Sequence, residues 1–201
     1  IKLIAMDSSH TVLIHMKLLQ EKFEYFYCEK KINVGLNVLN LFKLIKTISN
    51  NDTLTLFMEK NNENQLGIKI HNDEKNSQTT YKLNLLDIQD ESVTIPQAEF
   101  DTELTFPSGD FQKIIRDMIN IGENIEIKSI GNKLVLSCEG DFASQQTELG
   151  ETNNGIQFST CKEPEYPIQG LYSLKYLILF TKCTNLCNII NIYIKNDYPL
   201  I

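Results

Sequence analysis

The chain has 201 residues, 42% of them hydrophobic and 9% aromatic, enough to bury a core in one large domain or two small ones, and its 26 acidic against 19 basic residues give a net charge of −7. No apolar run reaches the ~20 residues that cross a bilayer, since the longest, LYSLKYLILF, is broken by Lys175, and no signal-peptide pattern opens the chain; both point to a soluble intracellular protein. Five cysteines (Cys28, Cys138, Cys161, Cys183 and Cys187) are odd in number and form no C-x-x-C pair, so neither a disulfide framework nor a zinc site is indicated.

Taken in chain order, IKLIAM, TVLIHMKL and FEYFYC alternate apolar and polar residues, the period of half-buried strands. NVLNLFKLIKTI, from Asn37 to Ile48, spaces its apolar residues by three and four and predicts a helix. Alternation returns in TLTLFME, LGIKIH and YKLNLLDI. The next stretch, LDIQDESVTIPQAEFD, is acidic, carries Pro96 and has no helical period, so it reads as an extended linker over 87–101 between an N-terminal domain, 1–86, and a C-terminal domain, 102–201. FDTELTF is then a strand, and SGDFQKIIRDMINI, from Ser108 to Ile121, a helix with Ser108 and Asp110 as its cap. NIEIKSI and KLVLSC are strands, YSLKYLILFTKC (Tyr172 to Cys183) a third helix, and NIINIYI a closing strand. The pattern is α+β, with sheets antiparallel in style. Ile1 opens inside a strand without a methionine and DYPLI ends while still apolar, which predicts a piece of a longer protein.

Setting the helices side by side reveals an internal repeat. FKLIKTISNNDTLTL, FQKIIRDMINIGENIEI and LKYLILFTKCTNLCNIINIYI each run helix, polar turn, strand. Each helix also carries a cationic pair: Lys43 with Lys46, Lys113 with Arg116, and Lys175 with Lys182. The first two pairs are three residues apart and the last seven, so each fits one helical face opposite the apolar stripe. Three basic faces in an acidic chain favour a polyanion as partner. Lysines and arginines with no aromatic platform read charge rather than base sequence, which suits a phosphate backbone.

The stretch MDSSHTVL raises a different possibility, because aspartate, serine and histidine are the residue types of a hydrolytic triad. An enzyme built on Asp7, Ser9 and His10 would need three close neighbours on one turn to converge. A hydroxyl, its base and an orienting carboxylate meet more readily when drawn from separated parts of a chain.

The motifs MDSSH, IP-x-x-E, PSG-D-F-x-x-I-x-R-D and L-K-Y-L-x-x-F-T-K recur together, in order along nearly the whole chain, in a pattern that resembles the eukaryotic-type DNA sliding clamps, the proliferating cell nuclear antigen family. The resemblance implies the DNA-clamp fold, two similar domains of antiparallel sheet with helices on one face, assembled as a homotrimeric ring. It implies a processivity factor without catalysis or cofactor. Its partners would be duplex DNA, bound without sequence preference, DNA polymerase and other proteins bearing clamp-interacting peptides, and a clamp loader, in the nucleus and with no membrane role. By correspondence Lys43, Lys46, Lys113, Arg116 and Lys182 would line the central hole, with Lys175 near it. The MDSSH turn and the linker would shape a peptide pocket from Met6, His10, Leu13, Val93, Ile95, Pro96 and Pro199. Tyr81, Ile115 and Met118 are expected at the joint between subunits, with internal core as the alternative for them.

Two departures from the family stand out. Thr11 replaces a branched apolar residue and Val93 a leucine, changing the size and polarity of the pocket. The outer strand that carries a modifiable lysine in the family aligns with GDFASQQTELGE, and no lysine occurs between Lys133 and Lys162. A peptide-binding adaptor of clamp fold that no longer encircles DNA is the alternative; it would keep Met6, Ile95 and Pro96 but not require the basic faces.

Overall fold

The computed structural model describes residues 1–87, 98–161 and 166–201. The chain divides into two compact units, Ile1–Ile95 and Pro96–Ile201.

In the first unit, β1 (Lys2–Met6) and β2 (Leu13–Lys17) form an antiparallel hairpin, and α1 (Val38–Ile45) precedes a sheet of β3 (Asp52–Glu59), β4 (Asn62–Asn72) and β5 (Ser77–Asn84) in that order. The side chain of Asn37 caps α1 by accepting the Asn40 amide at 3.0 Å. The helix stops at Ile45, short of the expected Ile48, where β-branched residues and the Asn50-Asn51 turn take over. Burial is thin: among the described hydrophobic residues of this unit only Ile68 and Leu83 are buried, and Val38, Leu39 and Phe42 on α1 are each more than half exposed.

FEYFYC is not a strand. Phe23 and Phe26 pack on each other at 5.5 Å, while Tyr25 and Tyr27 turn outward, 81% and 70% exposed. The alternation there reflects a local aromatic contact without a partner strand.

The second unit holds two antiparallel sheets, ordered β11-β7-β8-β9 and β10-β6-β12. Their strands are β6 (Thr102–Pro107), β7 (Asn124–Ile130), β8 (Lys133–Glu139), β9 (Ser144–Gly150), β10 (Gln157–Cys161), β11 (Ile168–Ser173) and β12 (Ile189–Ile194). The helices are α2 (Ser108–Met118) and α3 (Leu174–Phe180), and α3 tightens into a 3₁₀ segment, Thr181–Asn185. Each of the three expected helix–turn–strand repeats is present, as α1–β3, α2–β7 and α3–β12.

Strand pairing shortens α3 at its start. Tyr172 and Ser173, expected as helix, instead pair with Ile125 and Asn124 of β7. Ser108 does not cap α2 either; it is the first helical residue, and its hydroxyl donates to the Cys187 carbonyl at 2.6 Å, tying the helix start to the approach of β12.

The buried stripes of α2 and α3 meet residues of β6, β7, β8 and β12 in one continuous core. Phe111, Ile115 and Met118 of α2 face into it, worth about 1.5–3 kcal/mol each against leaving them in water. Here the expectation for the subunit joint needs correction. Ile115 and Met118 are both 0% exposed, so their side chains belong to the unit's own core and present no surface to a second chain. Tyr81 differs: it is half-buried on β5, opposite Ile68, in a strand at the edge of its sheet.

Candidate functional site

The turn between β1 and β2 is organised by Asp7. Its Oδ1 accepts the Thr11 amide at 2.7 Å and the Val12 amide at 2.8 Å, and its Oδ2 accepts the Ser9 hydroxyl. The Asp7 carbonyl takes the His10 amide at 3.0 Å, closing a turn in which His10 has φ of 55°, the left-handed region. His10 places Nδ1 3.0 Å from the Met6 sulfur. In a triad the carboxylate orients the base and the base holds the hydroxyl. Here the carboxylate holds the serine and two amides, the work of a loop clamp. Thr11 fits the same scheme, with its hydroxyl 2.9 Å from that of Ser9.

On either side of this turn, Met6 and Leu13 face each other across the hairpin and are 42% and 38% exposed, so a partner would find apolar surface there. Val93, Ile95 and Pro96, expected beside them, lie outside the described residues. Pro199, in the second unit, is exposed. Next to it in sequence, Tyr198 packs on Phe100 at 5.9 Å, and Phe100 packs on Tyr193 at 5.4 Å. Lys195 lies over the Tyr198 ring at 5.9 Å and donates to the Glu99 carbonyl at 3.2 Å. This aromatic group was not anticipated from sequence; the signal was present in Phe100, which directly follows the glutamate of IP-x-x-E.

All six candidate DNA-facing cations are exposed. Lys43 and Lys46 stand at the C-terminal end of α1, where the helix dipole favours positive charge. Lys113 and Arg116 occupy the side of α2 opposite its buried stripe, together with Asp110 and Asp117, so that helix is charge-balanced whereas α1 and α3 carry no acid. Lys175 lies 5.9 Å from the Tyr176 ring centroid, on the first turn of α3. Lys182 falls in the 3₁₀ segment and not in an α-helix. Five α-helical steps of ~100° and two 3₁₀ steps of ~120° nevertheless return it to within about 20° of Lys175. Among the described residues none of the six takes part in an ion pair. No cluster of metal-ligating side chains occurs among them; Cys187 instead donates to the Cys183 carbonyl at 3.8 Å.

Comparison with known proteins bears on both surfaces. Residues 1–92 match the family model of the proliferating cell nuclear antigen N-terminal domain, and residues 94–201 that of its C-terminal domain. The whole chain aligns at 35% identity over 205 residues with 77% of the probable DNA polymerase sliding clamp 1 of Paramecium bursaria Chlorella virus 1. It aligns at 32% over 207 residues with 78% of the proliferating cell nuclear antigen of Chaetomium thermophilum. A probable DNA polymerase sliding clamp of Acanthamoeba polyphaga mimivirus is 30% identical over 204 residues, 43% of its length. With both domain models matched in order and two relatives above 30% aligned over the whole chain, this chain belongs to the proliferating cell nuclear antigen family.

Proposed function

We propose that the chain is the subunit of a DNA sliding clamp, a ring that encircles duplex DNA and holds a polymerase to it. The observation that carries this reading is the exposed cationic pair on each of the three helical segments of a chain whose net charge is −7. A ring must attract phosphates without gripping them, since each neutralised phosphate adds affinity that slows sliding. Exposed lysines with no base-reading neighbour meet that requirement, and encirclement takes the place of tight binding. Lys43, Lys46, Lys113, Arg116, Lys175 and Lys182 face the DNA in this reading, and a clamp loader opens and closes the ring around it.

The second surface takes clamp-interacting peptides from polymerases and other replication and repair proteins. Met6, His10 and Leu13, at the turn of the β1–β2 hairpin, supply its wall. A short helical peptide ending in aromatic residues desolvates its rings there. Three copies close the ring, with Tyr81 on the edge strand β5 at the joint, and the ring works with the DNA in the nucleus. The adaptor reading is not favoured, because the relatives are named as polymerase clamps and the basic faces are retained.

Changing Lys43, Lys46, Lys113 and Arg116 together to alanine tests this. Loaded on primed DNA, the variant should stimulate a polymerase on long templates less than the parent does, and the salt dependence of its DNA association should be shallower. Unchanged stimulation and an unchanged salt slope would refute the electrostatic role of the helices.

A further inference from the structure

The β1–β2 hairpin carries positive charge that neither the turn nor the DNA-facing helices use. Directly opposite residues of an antiparallel pair share one side of the sheet, so Met6 with Leu13, Ile4 with His15, and Lys2 with Lys17 make one continuous face. All six side chains are exposed. The face is apolar at the turn and cationic at its far end. Lys2 and Lys17 are direct cross-strand partners, an arrangement that repels. Among the described residues neither is in an ion pair with a carboxylate. His15 adds a third nitrogen base, its pKa lowered first by desolvation and then by Lys17 and Lys2, so an anion arriving there relieves the repulsion. In a chain of net charge −7 this is a local reversal of sign, built onto the same strands that carry the apolar wall.

We propose that this face receives an acidic flank of the partner peptide. The peptide seats its apolar anchor against Met6 and Leu13 and lays carboxylate side chains over His15 and the Lys2–Lys17 pair, four extended residues, or ~13 Å, further along. The proposal rests on the peptide-site reading above and names a feature of the partner that selects among peptides sharing one anchor. Nucleic acid would satisfy the cations but has nothing to offer Met6, Ile4 and Leu13, whereas an acidic peptide matches both ends of the face.

The test uses the full chain and pairs of synthetic peptides with the same short helical anchor ending in aromatic residues. Each pair carries two Glu or two Gln four residues from the anchor, before it in one pair and after it in the other. In low salt one acidic peptide should bind threefold to tenfold more tightly than its Gln counterpart, and the gap should shrink as salt rises. The gap should vanish in Lys2→Gln/Lys17→Gln and persist in the charge-matched Lys128→Gln/Lys133→Gln. The His15 imidazole, followed by NMR, should titrate at higher pH with the acidic peptide than with the Gln peptide. Equal binding of Glu and Gln peptides in both pairs, or a gap that survives Lys2→Gln/Lys17→Gln, overturns the proposal and leaves the pocket intact. Failure of every peptide to bind overturns the pocket reading and this proposal with it.

Discussion

Asp7→Ala isolates the device that shapes the β1–β2 turn. The substitution removes an acceptor that serves the Thr11 and Val12 amides at 2.7 and 2.8 Å as well as the Ser9 hydroxyl. Hydrogen bonds to a charged group are worth about 1.5–3 kcal/mol when sheltered. This turn is open, so water replaces part of each, and loss of a comparable helix-capping side chain costs about 0.5–2 kcal/mol. His10 offsets part of that cost, because a non-glycine residue at φ of 55° is held there by the turn itself and relaxes once the clamp is gone. The expected loss is about 1–2 kcal/mol, read as a lower urea midpoint for the amide signals of β1 and β2. Peptide affinity should fall about fivefold to thirtyfold, since Met6 and His10 lose their fixed spacing. Asp7→Asn retains one acceptor oxygen and should show roughly half the effect, and Ser9→Ala should stay within ~0.5 kcal/mol. If Asp7→Ala leaves both the midpoint and the affinity unchanged while Ser9→Ala abolishes a hydrolytic activity, the turn is catalytic and the clamp argument fails.

Ile115→Ala and Met118→Ala should each cost about 2–5 kcal/mol in urea unfolding, the price of a cavity in a closed core, and a variant of normal stability but altered subunit association would return these residues to the joint. Asp52 has its pKa lowered chiefly by the Asn72 side-chain amide at 2.5 Å and then by the Ser49 backbone amide at 2.8 Å. A depressed folded-state carboxylate stabilises the fold above its unfolded value of ~3.9 and loses that contribution as pH falls through the lower folded value. Asp52→Asn should therefore flatten the acid limb of the stability curve below about pH 4, and an unaltered limb would show that the bond contributes nothing.

The three helices were legible because each carries apolar residues at three- and four-residue spacing, but their ends were not. Tyr172 and Ser173 fit the helical period as well as Leu174 does, and only the presence of β7 alongside draws them into a strand. β10 and β11, QFSTC and IQGLYS, carry too little alternation to stand out, and exist because β6 and β7 offer them a ladder. β9 was recognisable only through the resemblance, its residues being largely polar. Within the site, the residue types of the turn were visible in MDSSH, whereas the role of its aspartate depends on distances that spacing does not contain. Ile115 and Met118 show a limit of another kind, since an apolar stripe reads alike whether its cover comes from the same chain or from another.

The unequal burial of the two units bears on the order in which the chain opens. Ile125, Ile127, Leu134 and Leu136 sit at 0–1% exposure on paired strands, whereas α1 has no buried residue at all. Cooperative opening follows such differences, so backbone amides on β7 and β8 should trade hydrogen for deuterium last and those of α1 first. A protease sampling the same fluctuations should cut around α1 while the second unit persists as a resistant fragment.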